Sequence, residues 1–313
     1  MGMESSVTPA PELKRSKLIG SRLSDAQFAY LLVIPLFLIL LLIYIYPIVY
    51  SFWMSLHQID IALSAWIFVG LEQYTRALTN PAVWYALWIT AIYTTEVTLI
   101  TLALSLGGAL LLNEQFKGKQ FLLTIVILPW ALSTYATAVI WRYLYSQEVG
   151  LFNAVLYAAG LIERYLPFIT EHTAVVAIAI AHSWQLAPLG LYFFLAALQV
   201  IPPDLYKSAK IDRLGVFGRF RHITFPYIRN AILIIMVLVS VEAARAYDVL
   251  YFLTAGGPGN ASTTMTWLIY VSTFQSFDFG YGSALSYILL IFIIVITTLY
   301  FLVLFGRRVE SKI

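Results

Sequence analysis

The chain has 313 residues, of which 61% are hydrophobic and only 11% charged, and its formal net charge is +3. Soluble globular chains carry about a quarter charged residues, so an ordinary soluble core is excluded and a polytopic membrane protein is expected. With no cysteine, disulfides, thiolate metal sites and cysteine nucleophiles are excluded as well, and no block of cations interleaved with aromatics points to nucleic acid.

A helix crossing the hydrocarbon needs about 20 mainly apolar residues. Residues 1–26 form a tail bearing Lys14, Arg15, Lys17 and Arg22, and the first apolar run follows at Phe28–Leu56. That run is too long for a signal-peptide core and lacks a small-residue cleavage site. Val69–Pro81 has apolar residues at helical spacing, with Asn80-Pro81 as a stop. The second run is Val83–Leu112, followed by a connection holding Lys117 and Lys119. The third is Phe121–Tyr145, and Gly150–Gly160 could lie as a short interfacial helix. The fourth run is Thr173–Leu198, the fifth Tyr227–Leu253 and the sixth Gly282–Phe305. Thr254–Thr264 is too rich in glycine for a regular helix and is expected as a turn-laden loop.

Fifteen of the nineteen Lys and Arg lie in the two tails and in the second and fourth connections, against two, Arg76 and Arg164, on the opposite side. By the positive-inside rule both termini are cytoplasmic. The expected fold is all-α and integral to the membrane: six helices, N-in and C-in, over residues 27–306, with a cytoplasmic tail at 307–313 and a long cytoplasmic loop at 200–226.

Ionisable groups at membrane depth cost several kcal/mol, so they face a cavity or a partner. Glu242, Arg245 and Asp248 are spaced i, i+3, i+6 in the fifth run, where Arg245 could pair with either carboxylate on one helix face. They line a polar pathway near its outer end, or else form an ion pair that makes the helix tolerable; neighbouring Tyr247 belongs to the same group. Glu96 and Arg142 are further candidates of this kind. In the fourth run, Pro188 and Gly190 favour a kink or opening. His182, Trp184, Gln185 and Tyr192 offer hydrogen-bonding edges and aromatic faces near it. Such surfaces suit sugars, whose CH faces stack while their hydroxyls need donors and acceptors, but the same residues also suit plain helix packing. Neither a P-loop nor a zinc-protease or serine-hydrolase pattern is present, so no catalytic and no metal residues are expected.

The loop after the fourth run crowds its cations. Pro202-Pro203-Asp204 is a helix-start signal, and a break around Gly215–Gly218 separates two short helices. They could dock on a protein partner, or the cations could hold anionic membrane lipid.

Here the sequence resembles a family. Val200–Ile232 is similar to the EAA loop of permeases in binding-protein-dependent ABC importers: E-A-A, three residues, G, nine residues, I-x-L-P. That spacing is kept by Lys207-Ser208-Ala209, Arg213 and Ile223-Thr224-Phe225-Pro226. Asp248, Leu253-Thr254, Gly256-Gly257-Pro258, Thr263-Thr264, Tyr270, Phe274 and Phe279-Gly280-Tyr281 resemble the following stretch in carbohydrate-uptake permeases of the maltose and glycerol-3-phosphate type.

The resemblance implies a permease subunit in the inner membrane, paired with a second, homologous permease, two cytoplasmic ATPase subunits and an external solute-binding protein. ATP and Mg would sit on the ATPases, with no cofactor in this chain. Tyr206, Lys207, Ser208, Ala209, Lys210, Ile211, Asp212, Arg213, Leu214 and Gly215 would form the coupling helix seated on an ATPase. Lys207 replaces the family's Glu and Arg213 its Gly. Gly permits a positive φ, so Arg213 implies a reshaped turn or a negative complement on the ATPase. The competing readings are a permease for a polyol or glycerol phosphate, a non-pumping membrane scaffold, and a secondary transporter.

Overall fold

A computed structural model describes residues 24–60 and 65–305. The basic tail residues used for the charge asymmetry, Lys14 to Arg22 and Arg307 to Lys312, lie outside the described residues. The chain divides into two units at Ser51 and Phe52.

In the first unit, Ser24 and Gln27 form a reciprocal capping box that starts α1, Asp25–Leu40. A π-helical turn at Leu41–Ile45 leads into α2, Tyr46–Ser55, within which the boundary between the units falls. This helix is apolar on every face, as a helix solvated by lipid must be.

In the second unit the last turn of α2 is followed by an antiparallel hairpin. Strands β1, His57–Asp60, and β2, Ala65–Phe68, pair His57 with Phe68 and Asp60 with Ala65. Helix α3, Glu72–Thr79, ends at Asn80, whose side chain accepts the Ala82 N–H and so caps α4, Pro81–Asn113. The Asn80-Pro81 pair thus both stops one helix and starts the next.

The third apolar run is not one straight helix. It divides into α5, Lys119–Val126, α6, Leu128–Ala131, and α7, Thr134–Leu144. The two arms, Lys119–Ala131 and Thr134–Leu144, meet at 98°. Two residues account for the break. Pro129 lacks an N–H to donate, and Ser133 accepts the Ala136 N–H as the N-cap of a new helix. The carbonyl of Leu132, freed at the bend, accepts the Gln185 Nε2 donor at 2.9 Å. Replacing Ser133 by Ala should therefore lower stability by about 1 kcal/mol, measured as a downward shift in the thermal melting of purified protein.

Helix α8, Leu151–Ala158, is followed by α9, Ala174–Gln199, which runs unbroken through Pro188. Then come α10, Pro203–Ile211, α11, Val216–Arg219, and α12, Phe225–Ala244, the last two joined by a π-helical turn at Phe220–Thr224. The break between the two short helices lies at Asp212–Gly215, earlier than expected, and Gly218 falls inside α11. The fifth run also ends sooner than its hydropathy suggests. After Ala244 the chain leaves the helix, and the Ala246 carbonyl accepts the Thr266 hydroxyl at 2.7 Å. Helices α13, Asp248–Leu253, and α14, Met265–Tyr270, precede α15, Phe279–Phe305.

Among the described residues, five helices are long and apolar enough to cross a membrane, or six spans if the bent pair counts as one. The core is made by α4, α9 and α12, with Tyr93, Phe194, Ile178, Ile228 and Ile235 fully buried. Where hydrophobic association is weak, as in lipid, small residues let backbones approach. Gly190 does this here: a Cβ on it would lie 2.5 Å from Ser105 Oγ, while Ser105 itself donates to the Ala187 carbonyl at 2.8 Å.

Candidate functional site

The segment between α9 and α12 is built for display. Helix α10 starts at Pro203, and Asp204 in its first turn pairs with Lys207 Nζ at 2.8 Å. Both side chains are exposed, so that pair contributes little. Its partly buried Tyr206 shares a hydrogen bond with Thr224 Oγ1 at 2.9 Å, tying the helix to the foot of α12. Ala209 is buried, whereas Ser208, Lys210, Asp212, Leu214 and Gly215 are exposed.

The end of α10 explains Arg213. Leu214 N–H reaches back to the Ala209 carbonyl at 2.9 Å, and Arg213 N–H to that of Lys210 at 3.1 Å. Those two bonds define a Schellman stop, which needs a left-handed residue just past the cap. Arg213 takes that place with φ +56. The turn is therefore the one glycine would make, held by a residue for which it costs about 1–2 kcal/mol. On either side of it, Ile211, Val216 and Phe217 are 81%, 77% and 75% exposed. These exposed apolar residues lie in the same short segment as Lys207, Lys210, Arg213, Arg219 and Arg221.

The polar residues of the spans separate into two groups. His182 is buried, and its Nδ1 is hydrogen-bonded to Tyr93 Oη at 2.7 Å, inside the α4–α9 interface. Tyr192 donates to the Leu123 carbonyl at 2.8 Å, anchoring α5. Gln185 holds the bend by its Nε2, while its buried Oε1 has no partner among the described residues. Trp184 packs near Trp141, with ring centres 5.9 Å apart. It also lines a cavity of about 480 Å³ together with Leu104, Ile125, Pro129, Leu132 and Pro188.

The second group sits where α12 ends. Arg245 Nη2 pairs with Glu242 Oε1 at 2.5 Å, both side chains partly exposed. Asp248 lies past the break, in the first turn of α13, so the single-face arrangement of three charges is not formed. An aromatic cluster adjoins the break. Tyr247, Tyr251, Trp267 and Tyr270 have ring centres 4.9–6.0 Å apart. Of these, Tyr247 alone is expected from the sequence to meet substrate. Tyr251 is signalled there only by its i+4 spacing from Tyr247.

Against known proteins, residues 99–311 match the family described as "Binding-protein-dependent transport system inner membrane component". The chain is 35% identical over 277 residues to the trehalose/maltose transport system permease protein MalF of Thermococcus litoralis, covering 88% of this chain and 93% of the relative. It is 28% identical to the trehalose transport system permease protein SugA of Mycobacterium tuberculosis, covering 92% and 91%. Among solved structures, a chain of a bacterial ABC transporter involved in import of the acidic polysaccharide alginate shares the fold, with a TM-score of 0.75 at 21% identity over 90% of this chain and 95% of that one. The chain therefore belongs to the inner-membrane components of binding-protein-dependent transport systems, multi-pass membrane proteins that transport rather than catalyse.

Proposed function

We propose that this chain is the permease subunit of an ABC importer for a sugar or oligosaccharide. In this reading six spans, N-in and C-in, combine with a second, homologous permease to form the pathway. Two cytoplasmic ATPases carry ATP and Mg, and an external binding protein delivers the solute. The observation that carries it is the exposure of Ile211, Val216 and Phe217 in the cation-rich segment of α10 and α11. That segment is fixed to α12 by the Tyr206–Thr224 bond and continues into that span through a π-helical turn. A subunit seated on Ile211, Val216 and Phe217 would pull on a span directly, as a two-state element biased by nucleotide requires.

The sugar assignment is supported by the trehalose and maltose permeases among the relatives. It is also supported by the aromatic cluster beside Glu242 and Arg245. In the pathway, Trp184, Gln185, Glu242, Arg245, Tyr247 and Asp248 would meet the solute. His182 and Tyr192 would position the helices that carry them.

Affinity purification of the tagged chain should bring down an ATPase and a second permease, and isolation of the chain alone would contradict the reading. Replacing Arg213 by Gly separates shape from charge. It should stabilise the turn by about 1 kcal/mol, yet together with Lys207→Glu it should weaken assembly with the native ATPase. Unchanged assembly on pull-down would show that these cations do not select the partner.

A further inference from the structure

The hairpin of β1 and β2 stands where two spans end. Val69 N–H donates to the Leu56 carbonyl at 2.9 Å, so the chain leaving β2 returns to the end of α2. Gly280, in the first turn of α15, comes so close to β1 that a Cβ on it would collide with the His57 carbonyl oxygen. Both helices belong to segments long and apolar enough to cross a membrane. The base of the hairpin is therefore held at the ends of those segments.

Its two faces differ. Residues paired across the ladder share a face, and successive pairs alternate between faces. One face carries Gln58, Asp60, Ala65 and Ile67. Its Gln58 and Asp60 line an open cavity of about 750 Å³ together with Arg76 and Asp278, which pair at 2.6 Å. The other face carries His57, Ile59, Trp66 and Phe68. There His57 Nδ1 is hydrogen-bonded to the Trp53 carbonyl at 2.7 Å, and its ring centre lies 4.6 Å from Trp53, 5.3 Å from Phe68 and 6.0 Å from Trp66. His57 is buried, yet Trp53, Trp66 and Phe68 leave 53%, 45% and 64% of their surface exposed. An exposed aromatic patch of this kind marks a protein or a membrane contact.

We propose that the aromatic face of the hairpin is an interfacial anchor seated in membrane lipid, with the Trp66 and Phe68 rings dipping into the headgroup–acyl boundary. The patch is continuous, through His57, with Trp53 in the last turn of α2, a helix solvated by lipid. Trp is suited to this boundary because it joins a large apolar ring to one N–H donor. The polar residues sit on the opposite face, beside the open cavity, as an amphipathic element lying along a membrane requires. Depth is limited by the backbone. Both strands of a two-stranded sheet are edges, and hydrocarbon does not tolerate unpaired edge groups. The strands therefore stay among the headgroups while the rings reach inward. Held to α2 and α15 at its base, such an anchor would fix how far those spans tilt.

Because the chain has no cysteine, Phe68→Cys, Trp66→Cys and Gln58→Cys can each carry one nitroxide label. The labelled full chain is placed in nanodiscs, alone and with its partner subunits, and its collisions with oxygen and with a water-soluble nickel chelate are compared. Labels at 66 and 68 should favour oxygen and report a depth of about 5–10 Å below the headgroup surface, whereas the label at 58 should favour the chelate. Trp66→Phe keeps an aromatic ring and should lose part of the tryptophan fluorescence that lipids brominated near the headgroup quench. Chelate collisions at 66 and 68 equal to those at 58, or no loss of quenching in Trp66→Phe, would put this face in water and overturn the anchor. So would labels at 66 and 68 shielded from both reagents, or shielded only once a binding protein is added, since either marks a protein seat. A chain that recruits no partner subunit would sink the importer reading, while the depth read in the chain alone still decides the anchor.

Discussion

Replacing Ile211 and Phe217 together by aspartate should reduce ATP-driven uptake by about a hundredfold or more, while the spans remain folded. The two side chains are 81% and 75% exposed, so neither supports the fold. In the proposed importer each would be an interface anchor, where truncation costs about 2 kcal/mol or more. Charges at both positions would place unpaired carboxylates in the buried contact, adding a desolvation penalty to the lost packing. The pair of measurements is uptake by reconstituted complex and recovery of the ATPase with tagged permease. Loss of both is the expected outcome. Normal uptake would show that force reaches α12 by another route.

The second large effect concerns the core. Gly190→Val should lower the melting temperature of the purified protein by several degrees and reduce its yield. Even a bare Cβ at this position would meet Ser105 at 2.5 Å from Oγ and 2.9 Å from its Cβ, and Ile235 at 3.4 Å. Overpacking of this kind costs about 1–3 kcal/mol, and here it would separate α4 from α9. Gly190→Ala with Ser105→Gly should recover part of the loss, because the small residue is then supplied from the other helix. That double variant also gives up the Ser105 hydrogen bond to the Ala187 carbonyl, so recovery should be incomplete. A wild-type melting curve for Gly190→Val would contradict the close approach.

The apolar runs were legible because burial in lipid demands long uninterrupted stretches, and the two short helices of the 200–226 segment were legible from Pro203 and the glycines after Ile211. The breaks were harder. Hydropathy registers side chains, whereas the bend at Leu132 and Ser133 is a backbone event, announced only by Pro129 and by a serine in capping position. The same limit hid the end of α12. Glu242 and Arg245 form the pair their spacing suggests, but nothing local to Ala244 or Arg245 signals that Thr266, 20 residues on, takes the Ala246 carbonyl. His182 illustrates a different ambiguity. Its residue type fits a pathway or a packed interface equally well, and only its hydrogen bond to Tyr93 shows which neighbour it meets. Arg213 is the reverse case, since the family's glycine named the backbone geometry and the structure keeps it with another residue.

That this permease moves a sugar on ATP hydrolysed by a partner seated on α10 and α11 is tested most directly by transport itself. The measurement is uptake of radiolabelled trehalose and maltose by proteoliposomes holding the assembled complex, with its binding protein outside and ATP inside. Accumulation should require both ATP and the binding protein, and should disappear in the Ile211→Asp, Phe217→Asp variant. Uptake that proceeds without ATP, or accumulation unaffected by that variant, would contradict this mechanism.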